Sequence, residues 1–124
     1  MTPQVLDTEA AWKLILRAEN RSGVTLTLPG SEEPALELGS NGNGEWRLLT
    51  PATEEAQTLL SVFLPLCRPL AEGAPLHVIG QLGQSLDGRI ATVTGRSRFI
   101  NGNDGITHLH RIRALSDAVV VGRN

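Results

Sequence analysis

The apolar residues of this chain change their period twice, and that change most constrains the fold. From residue 7 to 19 they recur at helical spacing, with Trp12, Ile15 and Leu16 on one face. Asp7 or Thr8 can cap such a helix, and Glu9 suits the positive end of its dipole. From residue 24 to 49 the period falls to two. Val24, Leu26 and Leu28 alternate with threonines, Pro29-Gly30-Ser31 marks a turn, and Leu36 and Leu38 alternate again. The glycine- and asparagine-rich stretch from Gly39 to Gly44 marks a second turn before Glu45-Trp46-Arg47-Leu48-Leu49. The pattern predicts a small antiparallel meander. Its glycines are spaced for turns and do not open a helix after a buried strand, so they are not a phosphate loop. Helical spacing then returns. Thr50-Pro51 reads as a helix start, with Ala52, Ala56, Leu59, Leu60 and Phe63 sharing one face and Pro65 and Pro69 bending or ending it.

Residues 69 to 76 read as a linker, which divides the chain into a helix–meander–helix extension (1–75) and a second region (76–124). In the second region, His77 to Gln84 is strand-like, and its Gly80 and Gly83 would admit a close neighbour. Asp87-Gly88 is a turn signal, and Ile90 to Thr94 reads as a strand pairing back. Asn103 or Asp104 can cap a helix that runs to Leu115 with Ile106, Leu109 and Ile112 inward. The run Ala118-Val119-Val120-Val121 is continuous and apolar, as in a parallel strand buried on both faces. Gly122 stands at its carboxyl end, where open α/β sheets bind ligands. A buried strand so close to Asn124 implies edges that another chain covers.

Composition narrows the function classes. With two Trp, two Phe, no Tyr and a net charge of −2, the 124-residue chain lacks aromatic platforms and a basic stripe, so nucleic acid is not expected as a partner. Arg96, Arg98, Arg111, Arg113 and Arg123 gather in the last third. They read either as a solvated scatter or as a pocket for an anionic ligand. Cys67 is the single cysteine and lies in an apolar run, which favours a buried, inert thiol over a nucleophile and gives no sign of an oxidising compartment. No signal peptide or membrane span is evident, so a cytoplasmic location is expected. His108 and His110 are two apart on a predicted helix, where zinc ligands sit three or four apart, so no metal site is expected.

Four motifs in order carry a family resemblance: Ser85-Leu86-Asp87-Gly88-Arg89-Ile90-Ala91, Gly95-Arg96-Ser97-Arg98-Phe99-Ile100, His110-Arg111-Ile112-Arg113-Ala114 and Asp117-Ala118-Val119-Val120-Val121-Gly122. From Val78 onward the chain resembles the reductase domain of the bifunctional riboflavin-biosynthesis deaminase–reductase. No deaminase zinc motif accompanies it. The resemblance implies an α/β, dihydrofolate-reductase-like three-layer fold, partial here and preceded by the small α+β extension. It implies an NADPH-dependent reduction of a phosphoribosylamino-pyrimidine, similar to 5-amino-6-(5-phosphoribosylamino)uracil, to its ribityl form. Carried over by position, Ser97 would contact the substrate and Arg113 would bind its phosphate. Phe99 and the backbone at Gly83 and Gly122 would border the nicotinamide cofactor. A homodimer, or a second chain that completes the domain, is the expected partner.

Two departures accompany the resemblance. Gln81 stands where the family often has a lysine. The Gly-Thr segment, Asp-rich loop and cofactor-phosphate loop that follow in the family are not in this sequence, which implies that about half of the reductase domain is absent. A non-catalytic fragment or assembly module derived from such a reductase is therefore the alternative.

Overall fold

The computed structural model describes residues 4–41, 44–82, 86 and 102–122. The chain divides into two units, Met1–Ala74 and Pro75–Asn124.

The first unit begins with helix α1, Thr8–Ala18. Of the two candidate caps, Asp7 acts: its Oδ1 accepts from the Ala10 backbone N–H at 2.8 Å. Glu9 lies in the first turn and Arg17 in the last, both with the sign the helix dipole favours. The buried stripe is Ala11, Leu14, Ile15 and Ala18, at spacings of three and four. This corrects the expected face. Ile15 is buried, Trp12 is half-buried at the edge, and Leu16 is 43% exposed. Contact with the second helix and the first strand turns Leu14, with Ala11 and Ala18, toward the core, and Leu16 lies on the outside. Asn20 then takes a left-handed conformation (φ 58°). Its N–H donates to the Cys67 carbonyl at 2.8 Å, joining the end of α1 to the end of the second helix.

The alternating stretch forms the expected meander. Strands β1 (Thr25–Thr27), β2 (Pro34–Leu38) and β3 (Trp46–Leu48) make one sheet in the order β1-β2-β3, antiparallel throughout. Leu26 faces Leu36, and Leu36 faces Leu48, so the register aligns leucines across all three strands. The Glu37–Arg47 pair carries an ion pair of 3.0 Å between exposed side chains. Pro34 occupies the first position of its strand, where its missing N–H is tolerated. At the turn between β1 and β2, Gly30 has φ 77°, and Ser31 Oγ accepts from the Glu33 N–H at 3.1 Å.

Helix α2 is Glu54–Cys67, so it starts later than Thr50-Pro51 suggests. The reason is a long-range pairing. Leu6 N–H donates to the Pro51 carbonyl at 2.8 Å, and Thr53 N–H donates to the Leu6 carbonyl at 3.0 Å, which holds Leu6 beside Ala52 in a parallel bridge. Thr53 becomes the cap, with its Oγ1 accepting from the Ala56 N–H at 3.1 Å. Ala56, Leu59, Leu60 and Phe63 are buried as expected, joined by Leu64 and Cys67, whereas Ala52 lies outside the helix. Pro65 sits inside the last turn without ending it; Pro69 lies just beyond the C-cap Arg68. Replacing the capping hydroxyl, Thr53→Ala, is expected to cost about 1 kcal/mol. A urea melt followed by tryptophan fluorescence checks this, because Trp12 and Trp46 both belong to this unit.

Leu6, Leu14, Ile15, Leu28, Leu36, Leu60 and Phe63 are almost wholly buried and form the core of the first unit. α1 packs against α2 and against β1. The rings of Trp12 and Phe63 meet edge to face, with centroids 5.6 Å apart.

The second unit differs from expectation in several places. Residues 75–82 are exposed and form no strand. The predicted strand at Ile90 to Thr94 and the Asp87-Gly88 turn lie outside the described residues. Helix α3 is Asn103–Ala114, close to the predicted span. Its N-cap is Gly102, which has no side chain to donate or accept, instead of Asn103 or Asp104. Ile106, Leu109 and Ile112 are half-buried, and no α3 residue is fully buried. The largest correction falls on Ala118 to Val121. This run belongs to no strand and is exposed, with Val119 at 51%, Val120 at 93% and Val121 at 72%. Among the described residues no strand flanks it, so the valines have no sheet neighbour to pack against. No helix among the described residues is long and apolar enough to cross a membrane.

Candidate functional site

Of the residues assigned by the motifs, the structure describes Arg113, on a short helix, and Gly122, on the segment that follows it. Arg113 lies in the last turn of α3 and is exposed. The carbonyls at this helix end are engaged locally. Ser116 Oγ donates to the Ile112 carbonyl at 2.7 Å, and the N–H groups of Leu115 and Ser116 donate to Ile112 and Arg113 at 3.2 and 3.1 Å. The end of α3 is thus closed by its own flanking residues. His110, three residues before Arg113, is exposed on the same side of the helix. Arg111 is two residues from Arg113 and half-buried, so the two guanidinium groups leave the helix in different directions. The chemistry offered at this end is cationic hydrogen-bond donation, which suits phosphate or carboxylate oxygens. Cations here also interact favourably with the negative end of the helix dipole, so part of their role is local stabilisation.

Gly122 is exposed just after the valine run, and a Cβ built on it would meet nothing within 4 Å. Gly80 is open in the same way. Gln81 is exposed and uncharged. Ser97, Gly83 and Phe99 lie outside the described residues. Of the five assigned positions, the structure therefore places Arg113 and Gly122, nine residues apart.

Two depressions among the described residues of the first unit do not fit a nucleotide. One lies between Arg21, Gly39, Glu45, Trp46, Cys67 and Arg68 and encloses about 20 Å³, room for roughly one water molecule. The other, about 210 Å³, is an open groove bordered by Asp7, Glu9 and Lys13. Its two carboxylates oppose a phosphate, and Lys13 is already paired with Glu9 at 3.6 Å. Among the described residues no group of three metal-ligating side chains occurs.

Cys67 is buried at 3% exposure, as its apolar surroundings predict. Its Sγ donates to the Ile15 and Phe63 carbonyls, both at 3.5 Å. Burial, and secondarily the negative charge of Glu19, push its pKa from 9.0 up to about 11. A thiol held neutral in this way is a poor nucleophile. The folded state binds this proton more tightly than the unfolded state does. Its contribution to stability is therefore complete below pH 9 and is lost as the pH rises toward 11. The expected loss is on the order of 2 kcal/mol. Urea melts on either side of that window, compared with a Cys67→Ala chain that lacks this dependence, check the sign.

Searches among curated proteins and among solved structures returned no match. Residues 76–124, the region holding all four motifs, α3 and the valine run, match the family model described as the RibD C-terminal domain, so over that segment the chain is similar to the reductase part of the riboflavin deaminase–reductases.

Proposed function

We propose that residues 76–124 serve as part of an NADPH-dependent reductase of the riboflavin-pathway type, with a dihydrofolate-reductase-like sheet. The substrate class is a phosphoribosylamino-pyrimidine. The observation that carries this reading is the family match over 76–124, joined to an exposed Arg113 at its motif position. NADPH, when bound, supplies a hydride to the sugar carbon of the opened ribose. The chain's own residues have simpler tasks. Arg113 holds the substrate phosphate through a charge-assisted fork, with His110, three residues before it on α3, as a second donor. Ser97 hydrogen-bonds the substrate. Phe99 lies along the nicotinamide, and Gly83 and Gly122 admit the cofactor close to the backbone. The described residues suit such ligands in two respects: a cationic helix end for phosphate, and an open approach at Gly122. Gln81 in place of a lysine removes one charge from the site, so an anionic substrate is held more weakly than in relatives with the lysine.

Titrating NADPH into the full chain, with nicotinamide fluorescence as the signal, tests this reading. Saturable binding supports it, and absence of binding counts against it. A second reading, a non-catalytic assembly module, is favoured by the exposed valines 119–121. It predicts no NADPH binding together with self-association.

A further inference from the structure

Helices α1 and α2 run parallel, because backbone bonds tie them at both ends. Thr53 N–H donates to the Leu6 carbonyl just before the two helices start, and Asn20 N–H donates to the Cys67 carbonyl where both stop. Between these ties the helices pack along a seam marked by the edge-to-face rings of Trp12 and Phe63. Each helix continues its apolar surface past that seam toward solvent. At spacings of three and four, α1 and the residue that ends it carry Glu9, Trp12, Leu16 and Glu19, and α2 carries Glu55, Leu59, Val62 and Leu66. Trp12 and Leu66 are half-buried, and Leu16 and Val62 are 43% and 46% exposed. Arg17, on the other flank of α1, donates to the Thr27 carbonyl in the sheet, so the flank with Trp12 and Leu16 faces away from the sheet. The two rows border an apolar groove on the helical side of the first unit.

Charge selects what fits this groove. Its apolar middle lies between Glu9 and Glu55 at one end and Glu19 at the other, and neither row holds a lysine or arginine. Glu9 and Glu55 suit the positive ends of their own helices, and Lys13 already takes Glu9 at 3.6 Å. Glu19 has no such local reason. It stands at the negative ends of two parallel helices, close enough to Cys67 to act on its thiol, and among the described residues it makes no ion pair. A cation brought by a partner relieves that concentration of negative charge. We propose that the α1–α2 groove receives an amphipathic helix of a partner protein, with an apolar stripe at its centre and lysine or arginine at both ends. The 11 residues of α1 set its length at about three turns. Such a helix lays anchors at i, i+3 or i+4, and i+7 into an apolar groove, and its basic ends meet Glu55 and Glu19.

Tryptophan emission tests this on the full chain. Trp46→Phe leaves Trp12, on the groove, as the single reporter. Two synthetic peptides of about four turns, free of tryptophan, serve as probes. Both repeat leucine at helical spacing; one has lysine at the other positions and one has glutamate. The lysine peptide is expected to shift Trp12 emission saturably, and the glutamate peptide to bind at least about tenfold more weakly. Leu16→Ser with Val62→Ser is expected to weaken the lysine peptide about tenfold. Glu19→Gln with Glu55→Gln is expected to weaken it about threefold. None of these four side chains belongs to the buried core, so urea melts of both variants are expected to keep the parent midpoint. A Trp12 signal that the lysine peptide leaves unchanged up to about millimolar concentration overturns the proposal. So does equal binding of the two peptides, or binding indifferent to the Leu16 and Val62 substitutions. Phosphatidylcholine vesicles that shift Trp12 where the peptides do not would assign the groove to a lipid surface. Self-association of the chain that Leu16→Ser with Val62→Ser abolishes would assign it to a second copy. Either result overturns the proposal as well.

Discussion

Phe63→Ala is expected to remove about 3–5 kcal/mol from the stability of the first unit. The ring is 1% exposed in the third turn of α2 and is among the largest fully buried side chains. Truncating it forfeits the transfer of an aromatic ring out of water and leaves a cavity between helices whose backbones are tied together at Asn20 and Cys67. It also removes the edge-to-face contact with Trp12. Domains of this size are stable by roughly 5–15 kcal/mol, so most of the margin disappears. Urea melts followed by Trp12 and Trp46 fluorescence measure the change. Phe63→Leu keeps most of the volume and is expected to cost less than half as much. Equal losses for the two variants would show that the ring contact, and not the cavity, dominates.

Arg113→Ala is expected to weaken binding of ribose 5-phosphate, a probe for the substrate's phosphate end, by about tenfold to a hundredfold. A hydrogen bond to a charged group is worth roughly 1.5–3 kcal/mol, and each 1.4 kcal/mol is a factor of ten. Because Arg113 is exposed, the same substitution is expected to change folding stability by less than about 0.5 kcal/mol. Arg113→Lys keeps the charge and loses the planar fork, so its affinity falls between the two. Calorimetric titration of the three chains decides the matter. Equal affinities would remove Arg113 from the phosphate site.

The first unit was legible in the sequence because local pattern and tertiary packing agree there. Leu26 with Leu28, and Leu36 with Leu38, alternate as a half-buried sheet requires, and all four are buried. Asp7 was legible as a cap because its partner is three residues away. The start of α2 was not. Thr50-Pro51 has the local chemistry of a helix start, but Leu6, 45 positions before Pro51, takes the Pro51 carbonyl and shifts the cap to Thr53. The α1 face was misjudged for a related reason. Leu14 and Leu16 are equally apolar, and only the contact with α2 and β1 decides which turns inward.

The second unit shows where pattern stops being informative. A run of valines states that the segment favours extension and an apolar neighbour, and it does not state which neighbour. The helix α3 emerged near its predicted bounds because capping and periodicity are local, whereas the expected strand at 118–121 depends on flanking strands. The assigned site positions rest on the ordered motifs alone. Serine, arginine and phenylalanine at 97, 113 and 99 carry no distinctive chemistry taken singly, and a helix arginine is commonly just solvated.

The most direct measurement is isotopic. The full chain is incubated with NADPH deuterated at the hydride-donating nicotinamide carbon and with 5-amino-6-(5-phosphoribosylamino)uracil, and the pyrimidine product is weighed by mass spectrometry. The account predicts a ribityl product carrying one deuterium on the former ribose carbonyl carbon. Recovery of the unreduced pyrimidine, or of a product without deuterium, would contradict it.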